Sequence, residues 1–229
     1  MKSAVLGLAL ALAATGALAD DNKDHAVYEV SITNITKGQT FTPQLIAIHT
    51  DSVALFELGA PASDELAVLA EGGSTAPLTE LLQKQGSENV GAVTTIGALL
   101  APGATAVAII EAPAKHEYLS SAGMLIPTND TFFAVNRQRL PKRGAVTAFA
   151  QAYDSGTEAN DQKCSNIPGP RCGGAGLSVG TNAGDEGFVH IGNGFHELGA
   201  GDGATGEILR PFQYDWRNPV AMIRIKRLR

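Results

Sequence analysis

The chain reads as an all-β protein, an antiparallel β-sandwich, and three observations predict that class. Segments rich in β-branched residues recur from residue 26 to the C terminus, and the first of them alternates strictly between two faces. Turn signals built from Gly, Pro, Asn and Asp separate these segments. Helical periodicity is confined to two short pieces between residues 63 and 85.

The elements follow in order. Lys2, the apolar run Ala4 to Ala13 broken only by Gly7, and the small residues Ala17-Leu18-Ala19 before Asp20-Asp21 have the pattern of a signal peptide over 1–19, cleaved after Ala19. The apolar run falls short of the ~20 residues that span a bilayer. No later segment is long and apolar enough to span, so the mature chain is expected in the periplasm or outside the cell, with no transmembrane segment after cleavage. One domain, 20–229, then remains. Residues 26–35 (AVYEVSITNI) put Tyr28, Val30 and Ile32 on one face, as a half-buried strand requires. Further strands are predicted over 45–49, 105–111, 118–126, 131–135, 145–153 and 219–228. Residues 63–70 place Leu66, Leu69 and Ala70 together, with Ser63 as cap and Gly72-Gly73 as stop. Residues 74–85 group Leu78, Leu81 and Leu82, with Pro77 in the first turn. Both helices are expected over a sheet edge or an end of the sandwich. Residues 89–100 fit strand or helix. Residues 155–206, rich in Gly, Asn, Asp and Pro, read as a long Gly-rich loop region.

Composition excludes some functions. The formal charge of −6 lacks the basic footprint of a nucleic-acid binder. Cys164 and Cys172 in an exported chain most simply form one disulfide within the loop region. The rival is half of a metal site, for which two thiols without a neighbouring His are a poor set. No nucleophile elbow or phosphate loop occurs. Arg217, Arg224, Lys226, Arg227 and Arg229 make the last segment basic. It reads as a strand whose charges guard it against pairing, or as a contact for anionic lipid or glycan. Asn34-Ile35-Thr36 and Asn129-Asp130-Thr131 match glycosylation sequons, which are short patterns.

Two junctions between strand and loop carry the acidic chemistry, Pro127-Thr128-Asn129-Asp130 and Asp154-Ser155-Gly156-Thr157-Glu158. Calcium is a hard cation that takes about six to eight oxygens. Asp130, Asp154 and Glu158 would offer three carboxylates, with Gly156 letting the backbone turn around the ion. The same residue types are ordinary turn formers, and the spacing is not that of a continuous EF-hand loop. His190 and His196 flank Gly192-Asn193-Gly194, with Glu197 next. They read as surface histidines at a hairpin; the alternatives are a secreted metal-dependent hydrolase that uses all three, or an ion-free structural envelope protein. His49, ending an apolar strand, reads as a hydrogen-bonded structural histidine.

A run of short motifs resembles the spondin domain of extracellular matrix proteins such as F-spondin and mindin. It begins with Tyr28-Glu29-Val30, Phe41-Thr42-Pro43, 46–50 (IAIHT) and 57–63 (ELGAPAS), and passes through Leu69-Ala70-Glu71-Gly72-Gly73, similar to an alanine-glutamate-glycine segment. It ends with 124–133 (MLIPTNDTFF) and Asp154-Ser155-Gly156-Thr157-Glu158. Thr128, Asn129 and Thr131 stand where the family has serine, proline and tryptophan, and Glu158 where it has aspartate. The resemblance implies a C2-like sandwich with one Ca2+ held at one end by Asp130, Asp154 and Glu158. It implies a non-catalytic binding or adhesion module, whose partner would be a glycan, an envelope component or a protein.

Overall fold

The computed structural model describes residues 25–172, 184–195 and 209–229. The expected signal-peptide segment, His196, Glu197 and residues 173–183 and 196–206 of the Gly-rich region lie outside them. Among the described residues ten strands and three short helices occur. The strands are β1 (His25–Asn34), β2 (Thr40–Phe41), β3 (Gln44–His49), β4 (Val90–Ile96), β5 (Thr105–Pro113), β6 (Tyr118–Ile126), β7 (Thr131–Arg139), β8 (Ala145–Asp154), β9 (His190–Ile191) and β10 (Ala221–Arg227). The helices are α1 (Asp64–Gly72), α2 (Ala76–Lys84) and α3 (Pro211–Tyr214).

The fold is all-β and antiparallel. Its sheet runs β4-β3-β6-β7-β8-β10-β1-β5. The end strands β4 and β5 pack beside each other, so the sheet curls into a nearly closed barrel. Strand β8 joins its two layers. Residues 145–150 pair with β10, and Gln151 to Asp154 pair with β7. One long strand serving both layers makes a corner of the kind that orthogonal packing uses.

Period-two patterning decides what each strand buries. Tyr28, Val30 and Ile32 of β1 point inward, where Ile223 and Ile225 of β10 and Phe133 of β7 join them. Strands β3, β6 and β7 are different because both of their faces are covered. Ile46, Ile48, Leu119 and Phe133 face the barrel interior, while Leu45, Ala47, Ala122 and Phe132 face α1 and α2. Segment 89–100 resolves as a strand, β4, paired to β3.

The helices therefore lie on a face of the sheet, not over an edge or an end as the sequence suggests. The outer face of the sheet presents Leu45 and Ala47 of β3, Ala122 of β6 and Phe132 of β7, and Leu66, Leu69, Leu78 and Leu82 of the helices cover it. Helix α1 begins where Ser63 Oγ accepts the Leu66 N–H at 3.2 Å, and ends at Gly73, whose φ of 70° suits a residue without Cβ. Leu69 is fully buried in this second core. Leu69→Ala is expected to lower unfolding stability by about 2–5 kcal/mol, measured by urea denaturation. A loss within experimental error of zero would mean that the helix layer contributes nothing to the cooperative unit.

Strand β10 also departs from expectation. It lies between β1 and β8, paired on both sides, so its charges do not guard an edge. Arg224 and Lys226 occupy the outward positions of a strand whose Ile223 and Ile225 are buried. The sequons are closed as well. Asn34 is fully buried, its Nδ2 donating to the carbonyls of Gln39 and Leu100, and the buried Asn129 amide donates to Asp161.

Candidate metal centre

Antiparallel pairing of β7 with β8 forces the two acidic junctions together. Thr131 opens β7 opposite Asp154, which closes β8, so the turn before one strand and the loop after the other leave the barrel at the same end. The turn is set by Thr128, whose Oγ1 donates to the Leu125 carbonyl and accepts the Thr131 N–H at 3.2 Å. Asn129 ties the same turn to the loop beyond, its Oδ1 accepting the Gln162 N–H.

Asp130 is fully buried. Its Oδ2 accepts from Ser155 Oγ at 2.9 Å, the Thr157 N–H at 2.8 Å and the Glu158 N–H at 3.1 Å, so the second acidic loop is folded around the first carboxylate. Its Oδ1 is buried with no hydrogen-bond partner among the described residues. Asp154 is 2% exposed. Its Oδ1 accepts the Gly156 N–H at 2.8 Å and its Oδ2 accepts from Asn160 Nδ2 at 2.9 Å. Gly156 has a φ of 67° and packs directly on the Phe188 backbone, leaving no room for a Cβ. Glu158 is 1% exposed and belongs to the same loop.

Burial of so much negative charge raises proton affinity. Desolvation pushes the Asp130 carboxyl above its ordinary range, against the opposing effect of its hydrogen bonds, and Glu186 adds to the rise. Asp154 is pushed up to about 7, first by desolvation and then by the charge of Asp130, with Asn160, Gly156 and His190 acting the other way. Glu71, at the end of α1, is raised by burial and by Asp130 while its hydrogen bond to Thr157 lowers it.

The three sequence-derived residues thus share one end of the barrel, and three more groups join them. Glu71 sits in the Ala70-Glu71-Gly72 segment, where the motif was the available signal. His190 and Glu186 come from the stretch that composition marks as loop, and no sequence signal pointed to Glu186. His190 is not at a surface hairpin. It lies on β9, opposite Asp154 on β8, with Nε2 3.4 Å from Asp154 Oδ1 and 3.9 Å from Glu186 Oε2. Asp154, Glu186 and His190 offer ligand atoms all within 4.8 Å of one another, a group that does not include Asp130 or Glu158.

The remaining sequence candidates are simpler. His49 is buried, with Nδ1 on the Thr50 carbonyl and Nε2 on Ser120 Oγ at 2.8 Å, and desolvation lowers its pKa. Cys164 and Cys172 form the expected disulfide. No helix among the described residues is long and apolar enough to cross a membrane. A family model described as Spondin_N matches residues 33–162, more than half of the chain. No curated protein matches the chain.

Proposed function

The chain belongs to the spondin N-terminal domain family, and from that premise we propose that it is a secreted, non-catalytic module that binds one calcium ion and, through the loops which that ion orders, a glycan, an envelope component or a protein. The observation that carries the calcium reading is Asp130 Oδ1, a buried carboxylate oxygen with no hydrogen-bond partner among the described residues. Leaving such an atom unmatched costs several kcal/mol in an ion-free protein, and a cation removes that cost. The donors around it suit a hard ion, since Asp130, Asp154 and Glu158 are all carboxylates, and Glu71 lies close enough to affect Asp130.

The protein's own residues would have three tasks there. Asp130, Asp154 and Glu158 would supply oxygens and offset charge. Ser155, Thr157 and the Glu158 N–H hold Asp130 Oδ2 in place, so that Oδ1 is the atom presented. The ion would supply positive charge where two loops with few apolar anchors meet, and so rigidify them. Secretion is supported by the disulfide, which belongs to oxidising compartments.

Calorimetric titration tests the reading. Metal-free wild-type protein is expected to bind calcium with one-to-one stoichiometry, and Asp130→Ala and Asp154→Ala to bind it at least ~10-fold more weakly. Undiminished affinity in both variants would remove these residues from the site.

A further inference from the structure

We propose that Asp154, Glu186 and His190 form a second metal site, specific for a divalent transition ion such as Zn2+, beside the calcium position. The argument starts from the histidine. Its Nδ1 lies 3.0 Å from the Ile191 carbonyl, and a carbonyl only accepts, so Nδ1 carries the proton of that hydrogen bond. In the neutral ring Nε2 then bears a lone pair. That lone pair is buried, makes no hydrogen bond among the described residues, and faces two carboxylate oxygens at 3.4 and 3.9 Å. A divalent cation placed among these three atoms would meet all of them at once, whereas a single proton pairs only two.

The geometry fits the smaller, softer ion. Zinc holds nitrogen and carboxylate oxygen at about 2.0–2.2 Å, which makes the edge of its tetrahedron roughly 3.3–3.6 Å. The Nε2 to Asp154 Oδ1 distance of 3.4 Å is already such an edge, Glu186 Oε2 lies 3.9 Å from Nε2, and all three ligand atoms fall within 4.8 Å of one another. Imidazole favours Zn2+ over Ca2+, and two carboxylates match a divalent charge. The supporting contacts are of the kind that orient metal ligands. The Ile191 carbonyl fixes the ring, the Gly156 N–H holds Asp154 Oδ1, and the Asn160 amide bridges the outer oxygens, Asp154 Oδ2 at 2.9 Å and Glu186 Oε1 at 3.3 Å. Behind Asp154 stands Asp130, fully buried with Oδ1 unpartnered, whose negative field acts on Asp154 and deepens the well for a cation.

Cobalt(II) is the probe, since a four-coordinate site gives it intense visible absorption. Metal-free wild-type protein is expected to develop that absorption on titration, and Zn2+, but not excess Ca2+, to abolish it. His190→Ala and Glu186→Gln are expected to weaken cobalt binding on the order of 100-fold while keeping the wild-type far-UV circular dichroism and the calcium heat. Asp130→Asn is expected to keep the cobalt absorption and lose the calcium heat, so that, although Asp154 serves both sites, failure of this proposal is distinguishable from failure of the calcium reading on which its neighbour site rests. Equal cobalt affinity in wild type and His190→Ala, or no cobalt binding by folded wild-type protein, would overturn the proposal.

Discussion

Metal-free protein is expected to lose stability as pH rises from about 4 to about 7, and excess calcium is expected to abolish that loss. Asp154 has its carboxyl raised to about 7 from the ordinary 3.8. A folded-state pKa above the unfolded one favours folding fully below the unfolded value, where the group is protonated in both states at no electrostatic cost. Between the two values the native state holds a proton that the unfolded chain has released, so stability falls by about 1.4 kcal/mol per pH unit and by roughly 4 kcal/mol in all. Asp130 is raised as well and acts in the same direction. An ion that holds these carboxylates charged reverses the linkage, because calcium then competes with the proton and binds more weakly below about pH 7. Urea denaturation across this range, with and without calcium, measures both halves. Parallel curves would show that the buried carboxylates do not respond to the ion.

The second large effect separates the fold from the site. Asp130→Ala is expected to destabilise the metal-free protein by about 3 kcal/mol, because Ser155 Oγ and the buried N–H groups of Thr157 and Glu158 all lose their acceptor. Asp130→Asn should cost less than about 1 kcal/mol, since its amide oxygen can take the place of Oδ2 for those three donors and it mimics the protonated acid that burial already favours. The Asn variant should nevertheless lose the calcium-induced rise in melting temperature, having surrendered the negative charge and one ligand oxygen. Melting curves of wild type and both variants, with and without calcium, give the comparison. A full calcium shift in Asp130→Asn would mean that Oδ1 is not a ligand.

The site was legible in part. Asp130, Asp154 and Glu158 stand at strand ends inside short motifs, so chain order and turn chemistry reveal them, and β7 pairing with β8 brings their loops to one end. Glu71 was visible as a motif residue, but its approach to Asp130 depends on where α1 docks. His190 and Glu186 were not legible as partners of Asp154. Their role depends on β9, two residues long, pairing with the end of β8, and a two-residue strand has no periodicity to read.

Local pattern was enough to place strand β6 at its observed ends, to alternate the faces of β1, and to start α1 at Ser63 and end it at Gly73, because caps and pleats depend on neighbours a few residues away. Ladder partners were a different matter. That β10 lies in the middle of the sheet, that the helices cover a face of β6 and not an edge, and that a histidine on β9 meets an aspartate on β8 all depend on contacts between distant segments. Such contacts form because the whole chain must bury its apolar faces and match its buried polar groups at once, a condition that no single segment carries.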